Sequence, residues 1–119
     1  MIPPPKPRSS LRTTLKSPEK NEMDRQMSEL ISSLSATIAD RRANPNPDSY
    51  TARLMAEGTG KIAQKVGEEA VEVVVAALEE SDERLVSEMA DLFYHSLVLL
   101  EQRGLSWPDV EAELARRFK

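Results

Sequence analysis

From Met23 onward the apolar residues Met23, Met27, Leu30, Ile31, Leu34 and Ile38 recur at intervals of three and four, which predicts an amphipathic helix running to about Asp40. Asn44-Pro45-Asn46-Pro47 ends it, because each proline drives its predecessor out of the α region. Asp48 or Ser49 can cap a short helix that stops at Gly58, and Thr59 caps a long one reaching about Glu80. Ser81-Asp82 opens a fourth helix to Gly104, with Leu105 placed for the hydrophobic contact of a Schellman ending. Ser106-Trp107-Pro108-Asp109 has the form of a capping box, and Trp107, Val110, Leu114 and Phe118 form the apolar face of a last helix. No stretch alternates with period two, so the expected fold is all-α, a bundle of four to five helices.

The two long middle helices are apolar over too much of their circumference for surface helices. Val66, Ala70, Val71, Val73, Val74, Val75, Ala77 and Leu78 surround the first, and Leu85, Val86, Met89, Ala90, Leu92, Phe93 and Leu97 to Leu100 the second. One small domain cannot cover both, so the pattern predicts a homodimer that completes the bundle. What polarity remains lies in narrow stripes. Lys65, Glu68, Glu69 and Glu72 share one arc of the first helix, and Glu88, Asp91 and His95 form a stripe on the second.

A short turn between these helices packs them antiparallel, which lets Glu68, Glu69, Glu72, Glu88 and Asp91 converge across the core. Oxygen-only ligation of this kind suits a hard divalent cation, Mg²⁺ or alternatively Mn²⁺, whereas zinc recruits His or Cys and a di-iron bundle needs Glu-x-x-His motifs that the chain lacks. The competing readings are solvated stripes, or salt bridges to Lys61 and Lys65, on a non-catalytic helical dimerisation module. His95 fits either a hydrogen-bonded core position or a place beside substrate, and Tyr50 and Trp107 read as capping and packing aromatics.

Composition narrows the picture further. The 119 residues suit one domain, absence of cysteine excludes disulfides and thiolate metal sites and agrees with a cytoplasmic location, and a net charge of -4 without a concentrated basic face argues against a nucleic-acid module. No stretch is long and apolar enough for a membrane span. The N-terminal stretch differs from the rest: five prolines and five basic residues lie within Met1 to Lys20 against the single acid Glu19. The expected organisation is therefore a disordered, basic, proline-rich tail over 1–22 and a helical domain over 23–119.

Gly67-Glu68-Glu69-Ala70-Val71-Glu72 followed by Glu88-Met89-Ala90-Asp91-Leu92 resembles the E-E-x-x-E…E-x-x-D signature of the all-α nucleotide pyrophosphohydrolases. Ser49 to Leu54, Lys61-Ile62, Lys65 to Ala70, Ala90 to His95 and Val110 to Arg117 resemble, within that superfamily, the phosphoribosyl-ATP pyrophosphatases of histidine biosynthesis. The resemblance implies a Mg²⁺-dependent hydrolase that releases pyrophosphate from phosphoribosyl-ATP. It implies metal ligation by Glu69, Glu72, Glu88 and Asp91, orientation of the attacking water by Glu68 or Glu69, and substrate binding by Arg53, Lys61 and Lys65, with His95 beside the substrate. Relatives are often fused behind a cyclohydrolase domain, so the tail resembles an interdomain linker. A nucleotide-pool enzyme acting on a simple dNTP is the alternative within the same superfamily.

Overall fold

The computed structural model describes residues 17–118, which form five helices and no strand. These are α1 (Ser17–Ala43), α2 (Tyr50–Glu57), α3 (Thr59–Glu79), α4 (Asp82–Gln102) and α5 (Trp107–Arg117). The all-α expectation holds. Of the tail assigned to 1–22, residues 1–16 lie outside the described residues, while 17–22 are helical and α1 begins before Met23. The cause is local: Pro18 falls in the first turn, where no intrahelical N–H is needed, and Glu19 in that turn faces the positive end of the helix dipole.

The chain divides into two compact units, Met1–Ser33 and Leu34–Lys119. The described part of the first, 17–33, is helical, with Met27 and Leu30 more than half exposed. The second unit holds the core. Ile38, Leu54, Met55, Ile62, Leu97 and Val98 are buried together, and Leu34, Phe93, Tyr94, Leu99, Leu100 and Trp107 pack around them. Phe93 meets Trp107 edge-on, with ring centroids 4.9 Å apart, which ties α5 to α4.

Helix ends follow the chain's cap chemistry. Ser49 Oγ accepts from the Ala52 N–H and Ser81 Oγ from the Arg84 N–H, each at 3.2 Å. At the end of α4, Leu105 N–H donates to Leu100 O at 2.8 Å and Gly104 N–H to Glu101 O at 2.9 Å, with Gly104 at φ +72°, which is the Schellman pattern. Asp109 closes the capping box of α5 by accepting from the Ser106 N–H at 2.8 Å. Between α2 and α3 the cap is Gly58 rather than Thr59: one residue at φ +94° both ends α2 and begins α3, a conformation that glycine adopts without strain.

The Glu80-Ser81 turn folds α3 and α4 into an antiparallel hairpin. Its core end is Ile62 on α3 against Leu97 and Val98 on α4. Toward the turn the hairpin presents a bare apolar face, with Val71, Val74, Val75 and Leu78 of α3 and Val86 and Met89 of α4 between 41% and 79% exposed. The carboxylate-bearing turns lie between these two ends.

Candidate metal centre

Glu69 on α3 faces Glu88 and Asp91 on α4, and one carboxylate oxygen from each lies within 4.8 Å of the others. Glu69 is 7% exposed and Glu88 5%, while Asp91 opens to solvent. Glu69 Oε2 and Glu88 Oε2 are buried with no hydrogen-bond partner. Buried carboxylate oxygens without donors are costly, and a third carboxylate beside them adds repulsion. An oxygen-only donor set with two unpartnered buried oxygens and an open side fits a hard divalent cation.

Glu72, one turn along α3, is not among the three whose oxygens converge within 4.8 Å, though it shares a pocket wall with Glu88. Its carboxylate acts on those of Glu69 and Glu88, and ionised carboxylates, which purely accept hydrogen bonds, can only repel one another. Burial, followed by the Glu72 contact, pushes the Glu69 carboxyl up; the Glu72 contact, followed by burial, does the same for Glu88. Glu72 is correspondingly held down by the same two neighbours. Glu68, the fifth expected member, is not among the three that converge. It accepts from Gln64 Nε2 at 2.8 Å, lies 3.4 Å from Lys65 Nζ, and is held below the ordinary carboxylate range by those two contacts.

Beside the carboxylates opens a cleft of about 290 Å³ lined by Tyr50, Arg53, Leu54, Glu57, Lys61, Lys65 and Glu68. All three expected basic residues are therefore on one wall system. Lys65 bridges the cleft and the acidic group, with Nζ 3.9 Å from Glu69 Oε1. Desolvation works against its ammonium, yet the Glu68 hydrogen bond and the surrounding charge hold it above its ordinary value. Arg53 donates to Pro47 O at 2.8 Å, so one of its guanidinium nitrogens is held by the loop before α2.

His95 is buried, and both its nitrogens are engaged within the protein. Nδ1 lies 2.7 Å from Asp91 O and Nε2 2.9 Å from the Tyr50 hydroxyl. A carbonyl can only accept, so Nδ1 carries a proton, and in the neutral ring Nε2 accepts from the Tyr50 hydroxyl. Burial raises the Tyr50 phenol, which agrees with a donating hydroxyl. His95, expected beside the substrate, thus has its two ring nitrogens against Tyr50 and the α4 backbone. Tyr50, read from sequence as a capping aromatic, is the residue that reaches the cleft.

Three residues make contacts at the site that the sequence reading did not assign to them. Tyr50 and Thr51 reach across to His95 and Tyr94 on α4, contacts between helices far apart in sequence. Arg84 lies on the other flank: Nη2 is 2.5 Å from Glu88 Oε1 and Nε 3.5 Å from Glu80 Oε2. Its spacing of four before Glu88 was a usable signal.

A helical hairpin with a buried, oxygen-only acidic group between its arms and a basic cleft alongside defines the chain as an all-α protein with a charged site between two helices. Comparison with known proteins makes this specific. Residues 31–118 match the family model described as phosphoribosyl-ATP pyrophosphohydrolase. The chain is 57% identical over 91 residues to the phosphoribosyl-ATP pyrophosphatase of Pyrobaculum aerophilum, covering 76% of this chain and 97% of that protein. It is 62% identical over 85 residues to the protein of the same name from Erythrobacter litoralis, 71% of this chain and 81% of that one. Over 89 residues it is 46% identical to the histidine biosynthesis bifunctional protein HisIE of Oceanobacillus iheyensis, covering 75% of this chain and 41% of the relative. The chain belongs to the phosphoribosyl-ATP pyrophosphohydrolase family, and is a hydrolase.

Proposed function

We propose that the chain hydrolyses 1-(5-phosphoribosyl)-ATP to 1-(5-phosphoribosyl)-AMP and pyrophosphate in L-histidine biosynthesis, with Mg²⁺ held by Glu69, Glu72, Glu88 and Asp91. The observation that carries this is the pair of buried, unpartnered oxygens, Glu69 Oε2 and Glu88 Oε2, with Asp91 inside the same 4.8 Å group. Mn²⁺ offers the same coordination chemistry and is the alternative cofactor. When bound, the cation supplies charge neutralisation at the phosphates and makes water more acidic.

The chain's own residues supply the rest. Lys61, Lys65 and Arg53 present positive charge along the cleft and receive phosphate oxygens, which offsets the repulsion an acidic protein exerts on a polyanion. Glu68 and Glu69 are adjacent on α3 at the border of cleft and carboxylate group, and one of the two orients the attacking water and accepts its proton. His95 keeps Tyr50 in place and, through Asp91 O, fixes the turn of α4 that carries Asp91.

The protein acts as a homodimer in the cytoplasm. Its apolar face over Val71, Val74, Val75, Leu78, Val86 and Met89 suits a second copy of itself, since one self-complementary patch closes a twofold pair. Among the described residues no helix is long and apolar enough to cross a membrane.

The test is pyrophosphate release from phosphoribosyl-ATP, ATP, dCTP and dUTP, each with Mg²⁺ and with chelator. Turnover of phosphoribosyl-ATP alone, dependent on Mg²⁺, supports the assignment. Preference for a dNTP makes the chain a nucleotide-pool hydrolase, and inactivity toward all four with no cation binding makes it a non-catalytic helical module.

A further inference from the structure

The two buried carboxylates of the acidic group are partnered in the same way. Each has one oxygen near a basic side chain and the other bare: Glu69 Oε1 lies 3.9 Å from Lys65 Nζ, Glu88 Oε1 2.5 Å from Arg84 Nη2, and both Oε2 atoms lack a partner. Lys65 also lines the basic cleft, whereas Arg84 lines a separate pocket of about 250 Å³ with Glu72, Val75, Glu80 and Glu88. Arg84 is 57% exposed against 6% for the side chain it grips. Its second partner, Glu80, is a carboxylate outside the acidic group, 3.5 Å from Nε.

We propose that Arg84 is a positioning residue for the metal centre: it holds Glu88 with Oε2 aimed into the acidic group, competes with the cation for the charge of Glu88, and shifts toward Glu80 as the cation binds. The inference rests on the reading of Glu69, Glu72, Glu88 and Asp91 as a divalent-cation site. Three features support it. A guanidinium on a buried carboxylate compensates charge that the other acids leave uncompensated. A divalent cation at the neighbouring oxygen is repelled by a fixed monovalent charge across one carboxylate. The exposed arginine has room and a ready partner on the preceding turn, so its movement requires no repacking of the core.

The experiment titrates Mn²⁺ by calorimetry into full-length wild type, Arg84→Gln and Arg84→Lys. It adds melting curves in chelator and in saturating Mn²⁺ at one protein concentration. Arg84→Gln should bind Mn²⁺ about tenfold more tightly, the size of a divalent-monovalent repulsion screened by water, while Arg84→Lys stays near wild type. In chelator Arg84→Gln should melt below wild type, and in saturating Mn²⁺ the gap should close. An ordinary surface bridge would lower both melting temperatures equally and leave the affinity alone. If wild type binds Mn²⁺ and Arg84→Gln binds it equally or more weakly, competition by Arg84 is wrong and the metal centre stands. If wild type binds no Mn²⁺, the metal centre itself is wrong and the role of Arg84 falls with it.

Discussion

Replacing Glu69 with glutamine should make the chelator-treated protein more stable, although it alters a buried residue. One carboxylate oxygen from each of Glu69, Glu88 and Asp91 lies within 4.8 Å of the others, a separation at which two unit charges repel by about 0.9 kcal/mol in water and about 3.5 kcal/mol at an effective dielectric constant of 20. Against this stands the loss of the Lys65 contact at 3.9 Å, a partly exposed pair worth about 1 kcal/mol or less. The amide of the new side chain can donate to Glu72 or Glu88, which the carboxylate could not. The net gain is about 1–3 kcal/mol, and a chain of this size shifts its melting temperature by roughly 4–8 °C per kcal/mol. Wild type should in turn gain about 2.7 kcal/mol from Mn²⁺ at a hundredfold excess over Kd, and Glu69→Gln much less. Melting curves of both proteins, in chelator and in Mn²⁺ at one protein concentration, measure all three differences. A variant that melts below wild type in chelator and keeps the full Mn²⁺ shift would refute the reasoning.

Glu72→Gln and Asp91→Asn should each lower turnover by about a hundredfold or more and blunt the Mn²⁺ stabilisation, while the same exchange at Glu79 or Glu111 does neither. Without metal, stability should fall as pH rises above the ordinary carboxylate value. Glu69 and Glu88 have raised folded-state pKa values, so between the unfolded and folded pKa the folded protein binds more protons, and that contribution is lost as pH rises through the folded value. Melting curves in chelator from pH 4.5 upward check this, and Glu69→Gln should flatten the slope. Val74→Glu or Leu78→Glu, on the bare face of the hairpin, should convert a dimer to monomer in light scattering at micromolar concentration; wild type that is itself monomeric, folded and active would remove the dimer from the account.

Much of this was legible in the chain because helices and their caps are local. Ser49, Ser81, Gly104 and the Ser106-Asp109 box each sit where their own chemistry predicts. The two misplacements are also local: Pro18 acted as a first-turn residue rather than a breaker, and Gly58 took the cap from Thr59 because its positive φ serves two helices at once. The acidic stripes were visible through three- and four-residue spacing, yet spacing could not say which of the five carboxylates converge. That depends on the rotation of α3 against α4, which brings Glu69 to Glu88 and Asp91 and turns Glu68 toward Gln64 and Lys65. The engagement of His95 by Tyr50 spans 45 residues and leaves no trace in either helix's periodicity.

If Glu69, Glu88 and Asp91 hold the cation, anomalous scattering from crystals grown with Mn²⁺ will locate it between α3 and α4. A peak is expected within coordination distance of all three carboxylates, reaching Glu69 Oε2 and Glu88 Oε2, and should be lost in Glu69→Gln crystals grown in the same way. A peak at another place in an active enzyme, or none between α3 and α4 under conditions that support turnover, would contradict it.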